Sequence, residues 1–129
     1  MRSGLSKAYS ATAWLILALG VLQFFLAGLG VFGASSFEAH ESVGWIVHTL
    51  TVLVLVFAVA GPRTGRDIGM AVGLVVLATV QASLPQLRDD VPELAALHPV
   101  LALLLLGLAA HIGRRYIGSG RDSVAAPAV

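Results

Sequence analysis

The sequence predicts an all-α integral membrane protein, a four-helix transmembrane bundle made of two repeated helical hairpins. Three observations support this prediction. Of 129 residues, 57% are hydrophobic and only 12% are charged, with a mean hydropathy of +0.89, whereas soluble domains carry about 25% charged residues. The apolar residues form four runs long enough to span a bilayer, which takes about 20 helical residues. Finally, a pattern of polar residues recurs at a fixed offset.

The four runs and the breaks between them define the predicted elements. Gly61-Pro62 ends the second run, and Pro92 is well placed to start a helix before the fourth. The first run follows a basic start, as in a signal peptide, but it exceeds the about 7–15 residues of a signal-peptide core. We therefore predict spans over residues 11–33, 37–60, 68–84 and 94–112, in a bundle of residues 1–117 followed by a disordered cytoplasmic tail, 118–129.

The basic residues of the loops predict the orientation. In a four-span arrangement all but one fall on the same side, and only Arg88 falls on the other. Loops rich in lysine and arginine remain in the cytoplasm. We therefore expect both termini to be cytoplasmic, in the plasma membrane of a bacterium, and the acidic loops to face outward. The residues on the cytoplasmic side are Arg2, Lys7, Arg63, Arg66, Arg114, Arg115 and Arg121.

The repeat is visible in two uncommon polar residue types. Gln23 and Gln81 are 58 residues apart, and so are His40 and His98. Such a match predicts two equivalent hairpins related by a pseudo-two-fold axis along the membrane normal. The second and fourth spans would then be parallel and face each other, with both histidines at the outer end.

Two histidines at matched depth on facing helices are what a bis-histidine haem requires, because imidazole is a good iron ligand and bundle cores hold such cofactors. Gly44 and Ala102, one turn deeper than the histidines, are small enough to leave space for the macrocycle. We expect Gln23 and Gln81 to hydrogen-bond a ligand histidine or a propionate. Arg88 is expected to pair with a propionate at the surface.

Two further histidines raise the question of a second haem. His98 and His111 are 13 residues apart on the fourth span, but the residue equivalent to His111 in the first hairpin is Leu53. His48 lies about 12 Å of helix rise below His40, short of the level of His111. The sequence therefore predicts one haem, with His48 as a supporting or proton-carrying group.

Each candidate also has a simpler interpretation. Histidines near a helix end are often only solvated, His98 before Pro99 could simply cap or kink the fourth span, and glutamines within membranes often hold helices together. A divalent zinc or copper site is an alternative, with His40, His98, Glu41 and Glu93 as ligands. A structural accessory subunit of a larger complex is another. The absence of cysteine excludes disulfides, thiolate metal sites and cysteine nucleophiles.

Three segments carry a resemblance to known proteins. QFFLAGLGVF, FEAHESVGWIVH and ALHPVLALLLLGLAAHIGRR resemble an uncharacterised family of short four-span bacterial membrane proteins. The layout is also similar to one four-helix half of haem A synthase, which implies a b-type haem between the second and fourth helices near the outer face, at His40 and His98. That enzyme has two such halves and a specific glutamate motif that Glu38 matches only loosely, so synthase activity is not implied.

Together these features predict a membrane protein that binds one haem b and serves in electron transfer or in haem or redox sensing. They favour such a role over that of a catalyst acting alone. The expected partners are the lipid bilayer and a redox partner or quinone, in a chain that could self-associate; no nucleic acid is expected.

Overall fold

The computed structural model describes residues 2–119, which form four long helices and two short helical turns. The long helices are α1 (Arg2–Val31), α2 (Glu38–Ala60), α3 (Gly65–Ser83) and α5 (His98–Ser119). The connection between α3 and α5 contains a 3₁₀ turn (Leu84–Leu87) and the one-turn helix α4 (Pro92–Ala95). Met1 and residues 120–129, and with them most of the predicted tail, lie outside this description.

Four of these segments are long and apolar enough to cross a bilayer: Gly4–Val31, Glu38–Ala60, Gly65–Leu87 and Pro92–Arg115. Large apolar side chains such as Phe25, Val59 and Leu103 are more than 60% exposed, as expected for surfaces that contact lipid. The predicted all-α architecture with four apolar helices is therefore found, and it is compatible with a multi-pass membrane bundle.

The helix boundaries follow local signals, and three of them differ from the predicted spans by four residues or more: the start of α1, the start of α5 and the end of α5, which lies at Ser119 rather than at residue 112. The Thr64 hydroxyl and the Asp67 carboxylate form a reciprocal capping box that starts α3. Helix α1 begins nine residues before the predicted span, because Tyr9 and Ser10 pack against the ends of α3 and α5. Pro99 has no N–H and so cannot continue the helical hydrogen bonds of α4. Helix α5 accordingly starts at His98 rather than at residue 94.

Packing around the bundle puts α2 and α5 on opposite corners, because each lies between α1 and α3. The fully buried side chains occupy the half of the bundle nearer the described chain ends, where small and branched residues fill the interior. They include Ala13, Ile16, Val54, Ala58, Ala71, Leu74, Ala109 and Ile112. The other half, next to the α1–α2 and α3–α5 connections, is less tightly filled and contains a cavity.

Candidate functional site

The cavity has a volume of about 610 Å³, which is within the range of small-molecule and cofactor sites, about 300–1,000 Å³. All four long helices contribute to its wall, and the α3–α5 connection borders it through Pro85, Gln86 and Arg88. The seven residues that the sequence singled out all line it: Gln23, His40, Gly44, Gln81, Arg88, His98 and Ala102. His48 lines it as well, whereas His111 is exposed and is not part of the wall.

His40 and His98 face each other from α2 and α5. Their ring centroids are 6.1 Å apart and the ring planes are inclined by 64°. One metal ion bonded to a nitrogen of each ring, at about 2 Å, would separate the centroids by about 6 Å. The separation of the two ring centroids is thus compatible with one metal ion bound between them.

Each histidine is held by the same kind of hydrogen bond. Nδ1 of His40 lies 3.1 Å from the main-chain carbonyl oxygen of Gln23, and Nδ1 of His98 lies 2.9 Å from that of Gln81. A carbonyl oxygen can only accept, so Nδ1 of each ring must donate. In the neutral ring Nε2 then has the free lone pair, and an Nδ1–H bonded to a carbonyl is the usual support of a metal-ligating histidine.

The contacts of the glutamines differ from those expected. From the sequence we expect their side chains to hydrogen-bond a ligand histidine or a propionate; in the structure the main-chain carbonyls bond the histidines, and the bond to a propionate stays a prediction. The side-chain amides instead line the cavity, and within the described chain Gln23 Oε1 and Gln81 Oε1 are buried without a hydrogen-bond partner. A Cβ added at Gly44 would lie 3.0 Å from Gln23 Nε2. The missing side chain at Gly44 therefore leaves room for this amide.

Arg88 borders the mouth of the cavity and forms an exposed ion pair with Asp89, at 3.4 Å from Nε to Oδ1. Exposed pairs of this kind contribute little to stability, about 0–1 kcal/mol. The guanidinium is consequently available to an anionic group of a ligand at the rim.

The alternative zinc or copper site has little support among the described residues. Among residues 2–119, no three or more histidine, aspartate or glutamate side chains are grouped so as to hold a metal ion. Glu41 borders the cavity, but Glu93 is not part of its wall. Two imidazoles alone do not complete the four-coordinate shell that zinc prefers.

Several wall residues were not predicted from the sequence. The Phe37 ring lies edge-on to His40 at 6.2 Å between centroids, and it packs so closely on Gly30 that a Cβ there would meet it at 2.7 Å. Trp45 lies 5.8 Å from the His48 ring. The sequence contains a signal for both contacts, because residues i and i+3 share a helix face. Phe37 precedes His40 by three residues, and Trp45 precedes His48 by three.

Comparisons with known proteins add one match. No curated protein and no solved structure matches the chain, so the likeness in layout to haem A synthase has no support from them. Residues 23–86 match a family of unknown function, DUF6220; this segment runs from Gln23 to the rim of the cavity and includes the first histidine.

Proposed function

We propose that the protein binds one b-type haem between His40 and His98 and serves in electron transfer or in haem or redox sensing. The observation that carries this proposal is the matched pair of hydrogen bonds that leaves Nε2 of both rings free, with the rings 6.1 Å apart. A bound haem supplies one-electron exchange.

The residues around the histidines suit a flat, largely apolar group. Gly44 and Ala102 are small residues one turn deeper than the two ligands, with the Gln23 amide next to Gly44, and Phe37 lies edge-on to His40. The exposed Arg88 at the rim suits a propionate, because guanidinium pairs well with carboxylates. Arg88 would therefore bind the carboxylates of a haem, and the apolar wall residues would cover its ring.

The repeat supports the same assignment. In both hairpins a histidine donates to the carbonyl of the glutamine that precedes it by 17 residues, and the offset between the hairpins is 58 residues. We infer that the two hairpins are equivalent halves, in which His40 and His98 would hold the iron. The loop charges further support cytoplasmic termini in a bacterial plasma membrane and a haem near the outer face.

An absorption spectrum tests the proposal. Protein produced with added haem and purified in detergent is expected to show a six-coordinate, low-spin spectrum with sharp α and β bands on reduction. His40→Ala and His98→Ala should each abolish these bands or leave a five-coordinate species, because each removes one iron ligand.

His111→Ala and His48→Ala are the matched controls and should retain the low-spin bands. A colourless wild-type protein after haem loading would refute the proposal. So would loss of the bands in His48→Ala or His111→Ala but not in His40→Ala.

A further inference from the structure

The inner part of the cavity contains polar atoms that the histidine pair does not use. Gln23 Oε1, Gln81 Oε1 and His48 Nδ1 belong to three different helices, and all three residues line the cavity. Each atom is buried and has no hydrogen-bond partner within the described residues. Unsatisfied polar groups at membrane depth destabilise a fold, so three in one cavity point to a ligand that pairs with them.

Two of these groups, the Gln23 amide and His48, extend deeper into the bundle than the proposed iron ligands. Gln23 directs its amide toward Gly44, one turn inward of His40, and His48 is two turns inward, about 12 Å of helix rise from His40. The surrounding wall is apolar and includes Val47, Leu105 and Leu106. The subsite thus suits a molecule with an apolar body and two or three polar atoms.

The chemistry of the three side chains narrows the class of ligand. A glutamine amide can present either its oxygen or its NH₂ group, and a neutral imidazole has one donor and one acceptor nitrogen. The same side chains can therefore accept from the hydroxyls of a hydroquinone or donate to the carbonyls of a quinone. Gln23 and Gln81 come from α1 and α3, which occupy opposite corners of the bundle, and a quinone ring has its two oxygens at opposite ends.

We propose that Gln23, Gln81 and His48 form a binding subsite for the headgroup of a lipid-soluble quinone or hydroquinone. This inference deepens the proposed function, since it names a membrane redox partner for the same cavity. It does not depend on haem for its test, because Trp45 borders the cavity beside His48 and reports on binding by its fluorescence.

The experiment titrates detergent-solubilised, haem-free protein with a decyl-substituted benzoquinone and, separately, with its hydroquinone. Saturable quenching of tryptophan fluorescence is expected, and Trp45→Phe should remove the saturable part. Gln23→Leu and Gln81→Leu should each weaken binding by about three- to tenfold, which corresponds to one lost hydrogen bond. Gln86→Leu is the matched control, because Gln86 is exposed at the rim, and should leave the affinity unchanged.

Quenching without saturation in the wild type would overturn the subsite and indicate that the polar atoms bind only water. Equal weakening by Gln86→Leu, or unchanged binding in both Gln23→Leu and Gln81→Leu, would overturn it as well. The haem spectrum separates the two proposals: low-spin bands without saturable quenching refute only the quinone subsite. Saturable quenching in a protein that never acquires those bands refutes only the haem.

Discussion

Replacement of Asp67 is expected to destabilise the end of the bundle opposite the cavity. This side chain is only 5% exposed. Its Oδ2 accepts hydrogen bonds from the Thr64 backbone N–H, at 3.1 Å, and from the Thr64 hydroxyl, at 2.8 Å. Its Oδ1 lies 2.9 Å from Nε of Arg115 on α5. One carboxylate thus starts α3 and also ties α3 to α5.

The size of the effect follows from these contacts. Loss of a helix cap destabilises by about 1 kcal/mol. Removal of one partner from a fully buried ion pair destabilises by about 3–5 kcal/mol, but the Arg115 side chain is 31% exposed, so water replaces part of the lost interaction. We therefore expect Asp67→Ala to lower the free energy of unfolding by about 2–3 kcal/mol. Thr64→Ala, which removes only the cap, should lower it by about 1 kcal/mol.

The assay is reversible unfolding in mixed micelles, followed by circular dichroism and by the fluorescence of Trp14. This residue lies against α5, since a Cβ added at Gly113 would be 2.8 Å from Trp14 Nε1. A double-mutant cycle with Arg115→Ala should show a coupling free energy of about 1–2 kcal/mol. A coupling near zero, or an Asp67→Ala protein as stable as Thr64→Ala, would refute the reasoning.

Three further predictions concern orientation and the cavity. Cysteine at Ser36 should react with an impermeant thiol reagent from outside intact cells and cysteine at Thr64 should not; reversed labelling would put the cavity on the cytoplasmic side. Gln23→Leu and Gln81→Leu should keep the low-spin haem spectrum, because the main-chain carbonyls hold the histidines; a loss of haem affinity of about 10–100-fold, typical when a supporting side chain is removed, would contradict this. Gly44→Leu should prevent haem binding while the bundle stays folded. Gly28→Leu should leave haem binding unchanged, because no atom lies within 4 Å of a Cβ added there. Equal haem binding by both variants would argue against a macrocycle next to Gly44.

Much of the candidate site followed from spacing alone. The offset shared by Gln23 with Gln81 and by His40 with His98 depends only on counting residues, and helical periodicity then puts residues at multiples of three or four on one face. Six of the seven predicted residues line one cavity for this reason, whereas Arg88 borders it from the α3–α5 connection. Their roles were harder to predict, because a sequence does not tell whether a glutamine contacts a histidine through its side chain or through its main-chain carbonyl. The haem itself stays a prediction.

The amino-acid sequence by itself determined the class of protein, because hydropathy and length are properties of local segments and the bilayer thickness fixes how long an apolar helix must be. Proline and glycine positions likewise determined most of the helix boundaries. The tertiary structure decided which helices are neighbours, and so put His40 opposite His98 at 6.1 Å. It also decided that α1 extends to Arg2, because Tyr9 and Ser10 find partners on α3 and α5. Contacts between residues 58 and 103 positions apart depend on how whole helices pack, which no local pattern encodes.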